Sequence, residues 1–183
     1  MLFRSRQSIL IAKQFPGTPV KLIWSREQDV LHGTFHPTSM CKLTGALDDK
    51  GNVVGLHMRL PGQSILAGLR PEALVEGRDP NVFQGLNAQG PEGQFGYDIP
   101  NLLIDHAMRN PPFRPGFWRG VNNNQNAIYL ECFIDEMAHA AGQDPLEFRR
   151  KMMKNYPKHL AVLNTVAEKS RSEEHTSELQ SRL

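Results

Sequence analysis

The C-terminal third of this 183-residue chain most narrows the folds open to it. Ile128, Cys132, Phe133, Met137 and Ala140 recur at helical spacing, and Gly142 stands where a C′ residue ends a helix, which predicts a helix over 127–141. Asp144-Pro145-Leu146-Glu147 follows at once as N-cap, N1 proline and N3 glutamate, predicting a second helix through about Lys154. A segment opened by Pro157 and carrying Leu160, Leu163 and Val166 predicts a third.

Upstream the period changes from helical to alternating. Cys41, Leu43, Gly45 and Leu47 alternate with polar neighbours, as do Val54, Leu56, Met58 and Leu60, and Asp48-Asp49-Lys50-Gly51-Asn52 joins the two runs as a hairpin turn. Residues 19–24 and 102–108 read as further strands, and 6–15 as a short helix stopped by Pro16-Gly17. The Gly-, Pro- and polar-rich stretch 62–97 has no sustained period and reads as an irregular excursion. Mixed strands followed by helices define an α+β fold.

Between the last strand and the first of these helices lies a polar, Gly-punctuated loop, residues 115–126, with Trp118-Arg119-Gly120 at its centre. A loop entering a helix N-terminus offers unpaired N–H groups to an anion, and Arg119 adds a planar donor fork suited to an oxyanion. The carboxamides of Asn122, Asn123, Asn124, Gln125 and Asn126 can read the edge of a heterocycle. The same Asn run equally suits a helix start, since Asn favours turns and N-caps.

Charge and cysteine content exclude several classes. With 21 basic and 19 acidic residues and no polybasic run, nothing calls for nucleic acid, and no apolar stretch approaches the length of a membrane span. Cys41 and Cys132 form no Cys-x-x-Cys pair, so iron–sulfur ligation by this chain is not expected and both read as small packing residues. His32 and His36 have zinc-like spacing, but Gly33 and Pro37 place them in a loop without a third ligand, and no metal site is expected. Glu131, Asp135 and Glu136 read as a solvated helix face or ion-pair partners, Glu131 being the best functional candidate of the three. Trp24, Phe35 and Phe95 read as core.

Several segments, in order, resemble one family. FWRG followed by a Gln, then ECFIDEMAHAAGQDPLEFRR, with PVKLIWSREQDVLHGTFHP and GYDIPNLLIDHAMRN upstream, is similar to the molybdenum-binding large subunit of the xanthine dehydrogenase and aldehyde oxidase family, most of all to beta subunits of the isoquinoline 1-oxidoreductase type. The resemblance covers about residues 6–170 and implies part of a molybdopterin-binding domain. It implies a molybdopterin cofactor in the cytosine dinucleotide form, with two-iron two-sulfur clusters on a small iron–sulfur partner subunit. The implied reaction is hydroxylation of an N-heterocycle, isoquinoline-like, or an aldehyde with oxygen drawn from water. By the matching motif, Trp118, Arg119 and Gly120 lie beside the cofactor and Gln125 near the metal's oxygen ligand; none is itself catalytic or a metal ligand. The family's base glutamate belongs to a downstream segment, so the 183 residues alone are expected to be inactive. Where xanthine oxidases carry Phe-Gly after Arg-Gly, this chain has Val121-Asn122, which argues against purine-like stacking. A carbon monoxide dehydrogenase reading lacks the copper-binding Cys loop, and a noncatalytic binding or scaffold subunit that keeps the fold is the alternative from another class.

The two ends read differently. Residues 1–5 and 171–183 match translated sequencing-library adapter, which makes 6–170 an internal piece of a longer gene. Removing Arg4, Arg171 and Arg182, and Glu173, Glu174 and Glu178, leaves the net charge at +2. Localisation stays open between cytoplasm and periplasm.

Overall fold

The computed structural model describes residues 2–88 and 93–170. The expectation for 171–183 lies outside the described residues, whereas residues 2–5 form the first turn of a helix. The chain divides into two units, 1–34 and 35–183.

In the first unit, α1 (Leu2–Ala12) leads through turns to an extended stretch and then α2 (Arg26–His32). The strand expected at 19–24 does not form, because this unit offers no second strand to satisfy its ladder groups. Trp24, half-buried rather than core, donates from Nε1 to Gln7 Oε1 at 2.9 Å. Ser25 and Gln28 close a capping box on α2, with Gln28 N–H donating to Ser25 Oγ and Ser25 N–H to Gln28 Oε1. His32 ends that helix and His36 lies beyond it in non-helical chain, so the two imidazoles share no helical face.

The second unit is built on a three-stranded sheet of order β1 (Lys42–Leu47), β2 (Val53–Gly62) and β3 (Asn101–Met108), antiparallel between the first pair and parallel between the second. Asp48 folds the hairpin turn by accepting from the backbone N–H groups of Lys50 and Asn52. Ala46 pairs with Gly55 but Leu47 with Val53, so Val54 is the extra residue of a bulge and Val53, not Val54, is buried. Leu56, Met58 and Leu60 then point alternately into the core as their spacing requires. Among its described residues, the excursion from β2 to β3 contains only α3 (Ile65–Leu69) and two single 3-10 turns. Buried Asp79 organises it, accepting from Ser64 Oγ, Leu66 N–H and Asn81 N–H.

Three helices follow: α4 (Asn123–Ala140), α5 (Pro145–Met152) and α6 (Pro157–Ser170). Helix α4 packs on the sheet so closely that a Cβ added to Gly45 would lie 2.3 Å from Met137 Sδ. Its buried stripe is Asn126, Leu130, Ile134, Met137 and Ala138, with Phe133 at the margin. The expected stripe was turned too far, for Ile128, Cys132 and Ala140 are exposed. Leu130 and Ile128 are about 200° apart on a helix, so burying one face excludes the other. Cys132 is therefore not a packing residue, and burial pushes the thiol of half-buried Cys41 up to about 11. Phe95 is buried, but Phe35 is exposed. No helix among the described residues is long and apolar enough to cross a membrane.

Candidate functional site

The excursion, the 35–39 segment and the N-terminus of α4 meet around the Trp118-Arg119-Gly120 arch. Helix α4 begins at Asn123, four residues earlier than expected, so most of the Asn run is its first turn. Gly120 at φ +81° and Val121 at φ +48° make the turn into it. The left-handed region costs a β-branched residue on the order of 1–2 kcal/mol, so the surrounding contacts must hold Val121 there.

The carboxamides divide in a way the sequence did not disclose. Buried Asn122 donates from Nδ2 to Asn81 O at 2.8 Å, and its N–H donates to Gln84 Oε1 at 3.3 Å. Buried Asn126 donates from Nδ2 to Val82 O at 2.8 Å and Gln84 O at 2.9 Å. Asn124 donates to Arg119 O at 2.8 Å. These side chains latch the excursion and the arch onto α4 rather than reading a heterocycle. Gln125 differs: its Nε2 donates to Asn122 Oδ1 at 2.7 Å, while its buried Oε1 has no hydrogen-bond partner among the described residues. A cavity of about 10 Å³ adjoins it, lined in part by Gln63, His106 and Asn122.

Asn122 does not cap the helix with its side chain, and the N–H groups of Asn124 and Gln125 find no acceptor among the described residues. The same holds for the N–H groups of Trp118, Arg119 and Gly120 and for the Arg119 guanidinium. Trp118 is 65 % exposed and Arg119 is exposed. An open helix N-terminus, free loop amides, an unpaired cation and an orphaned acceptor thus lie within eight residues, a donor-rich set suited to an oxyanion-bearing heterocycle.

Glu131 is elsewhere engaged. It accepts from Tyr97 OH at 2.8 and 3.0 Å and from Arg149 Nε at 3.0 Å, while Arg149 also donates to Asp135. Burial pushes the Tyr97 phenol up and the Glu131 carboxylate adds to that; burial would lower Arg149, but Asp135, Tyr97 and Glu131 more than offset it. This cluster fastens α4 to α5, which leaves Glu131 a structural ion-pair partner. Two local start signals, one in each unit, went unread in the sequence. Asp79-Pro80 repeats the Asp-Pro start of α5, and Ser25-x-x-Gln28 spells a capping box.

Similar proteins agree on one type of molecule. The chain is 29 % identical over 157 residues to isoquinoline 1-oxidoreductase subunit beta of Brevundimonas diminuta, covering 84 % of this chain and 19 % of that protein. It is 29 % identical over 149 residues to the membrane-bound aldehyde dehydrogenase [pyrroloquinoline-quinone] of Gluconacetobacter polyoxogenes, covering 79 % and 19 %. The fold matches the crystal structure of quinoline 2-oxidoreductase from Pseudomonas putida 86 with a TM-score of 0.67 and 20 % identity, over 94 % of this chain and 23 % of that one. No family model matches. The chain spans about a fifth of the length of the curated relatives it matches. Its α+β fold is that of a segment of a molybdenum hydroxylase large subunit. These homologues are oxidoreductases of the xanthine dehydrogenase and aldehyde oxidase family, and this chain is similar to a segment of them.

Proposed function

We propose that this chain forms part of the cofactor-facing wall of a molybdenum hydroxylase that oxidises an N-heterocycle, isoquinoline-like, or an aldehyde with water-derived oxygen. The observation that carries the reading is the open N-terminus of α4, with Arg119 and the Gln125 acceptor beside it lacking a partner among the described residues. The residues fit the group the family implies. Molybdopterin, in its cytosine dinucleotide form, bears phosphate and other oxyanions that the Trp118, Arg119 and Gly120 amides and the Arg119 guanidinium can bind, and Gln125 Oε1 supplies an acceptor for a donor on the cofactor or its coordinated water. When bound, the cofactor supplies two-electron oxidation chemistry. The chain's own part is to orient it, to keep Arg119 as a fixed positive charge, and to exclude side geometries by a rigid latch at Asn122 and Asn126.

A base glutamate and a small subunit carrying two-iron two-sulfur clusters complete this reading, and the 183-residue chain by itself is then inactive. Arg119→Ala in the intact enzyme should remove a charge-assisted contact of about 1.5–3 kcal/mol and lower turnover or molybdenum content at least tenfold. Metal analysis also separates this reading from a quinone cofactor, whose carboxylates would accept from the same donors. Unchanged kinetics and metal content would reduce Arg119 to a surface residue.

A further inference from the structure

The arch is exposed at its centre but anchored at both ends by one short segment. Phe117 is 48 % and Trp118 65 % exposed, whereas Pro115, Gly116 and Asn122 on either side are buried. At the leading end, Phe35 N–H donates to Arg114 O at 3.2 Å and Gly116 N–H donates to Phe35 O at 2.8 Å, a single rung of sheet-like pairing. At the trailing end, the ring of the very next residue, His36, places Nε2 3.2 Å from Val121 O. Its Nδ1 lies 3.1 Å from Pro37 O. Carbonyl oxygens only accept, so the imidazole acts here as a donor: one N–H in the neutral ring, two in the imidazolium.

We propose that His36 is a positioning residue that holds Val121 in its left-handed conformation and so clamps the trailing end of the arch that presents Trp118 and Arg119. The geometry explains why a β-branched residue persists at φ +48° without glycine's freedom. Four residues, 117–120, span from the anchored Gly116 to the anchored Val121; within the turn the Trp118 carbonyl accepts from Val121 N–H, the Gly120 carbonyl from Asn123 N–H and the Arg119 carbonyl from the Asn124 side chain, so the turn's remaining tie to another segment at its trailing end is the His36 ring on Val121 O. Loss of the His36 contact loosens the arch between its remaining anchors, the Phe35 rung at Gly116 and the Asn122 latch. The clamp stands on geometry alone; its purpose, keeping Arg119 aimed at a cofactor, rests on the proposed function.

Limited proteolysis of the 183-residue chain tests it, because trypsin can cut after Arg119 within the arch and cannot cut at Arg114-Pro115. Lys50-Gly51, in the β1–β2 hairpin turn, is the internal control. His36→Ala, and His36→Phe, which keeps ring volume without an N–H, should speed cleavage at Arg119-Gly120 by about three- to tenfold, the size of one lost net hydrogen bond, with Lys50-Gly51 unchanged. Equal rates at Arg119-Gly120, or a parallel rise at both sites, would overturn the clamp. Unaltered cleavage in the His36 variants alongside metal loss in Arg119→Ala of the intact enzyme sinks the clamp and leaves the cofactor reading standing. Faster cleavage with no metal loss in Arg119→Ala does the reverse.

Discussion

Two helices in this protein start in opposite ways. At α5, Asp144 accepts from Leu146 N–H and Glu147 N–H, Pro145 removes a donor at N1, and the helix start is satisfied by its own residues. At α4, Asn122 is already in helical backbone, makes no side-chain cap, and leaves the Asn124 and Gln125 N–H groups, like Arg119 beside them, without a partner among the described residues. A self-capped start serves stability; an open one forgoes about 1 kcal/mol of capping and gains a place for an external acceptor. The contrast teaches that the site here is marked by what the helix leaves undone.

The glycines before the two helices offer the largest effect with which to break that comparison. Gly120 and Gly142 both have positive φ, but a Cβ on Gly120 would lie 2.2 Å from Asn124 Oδ1, while one on Gly142 meets nothing within 4 Å. Gly120→Ala should therefore cost on the order of 2–3 kcal/mol, from left-handed strain plus the displaced Asn124–Arg119 bond, against about 1 kcal/mol for Gly142→Ala. Denaturant unfolding of both variants measures the difference, and equal losses would mean that the turn into α4 is no more constrained than the exit from it. Next in size is Asn126→Ala, expected to cost about 2 kcal/mol because the Val82 and Gln84 carbonyls lose their shared donor. A loss below about 0.5 kcal/mol would show that the latch does not hold the excursion to α4. Asp144→Ala should cost about 1 kcal/mol by uncapping α5, with the arch untouched; any change in trypsin cleavage after Arg119 would couple the two starts.

The same contrast explains which parts were legible in the sequence. Asp144-Pro145 and Gly142 act through neighbours one to three residues away, so α5 and the end of α4 could be read directly, as could the Leu56-Met58-Leu60 alternation and the strand over 101–108. Trp118, Arg119 and Gly120 stand in the turn that leads into α4, and Gln125 in the first turn of that helix. What escaped depends on distant partners. Asn122 and Asn126 reach Asn81, Val82 and Gln84 some 40 residues away, and His36 reaches Val121 across 85 positions. Local composition cannot distinguish a carboxamide aimed at a ligand from one tied to remote backbone. The stripe on α4 failed for a related reason: Ile128 and Cys132 are apolar enough to suit a core, and only the sheet decides that Leu130 and Ile134 face it.

Gln125 gives the smallest change in stability and the sharpest distinction. Its Nε2 ties down Asn122 Oδ1, but its Oε1 is buried without a partner among the described residues, so the side chain is half strut and half unpaired acceptor. Gln125→Met keeps the volume and removes both functions. Deleting the lone acceptor relieves a desolvation cost, while exposing Asn122 Oδ1 to the same apolar neighbour creates one, each on the order of 1–3 kcal/mol and of opposite sign. The net effect on unfolding should lie within about 0.5 kcal/mol of zero, whereas molybdenum retention in the intact enzyme should fall. A stability loss above about 1 kcal/mol with full metal content would make Gln125 a strut for Asn122 and nothing more. The α4 start would then differ from the α5 start only in being poorly capped, and the weight of the cofactor reading would shift onto Arg119 and the free amides of the arch.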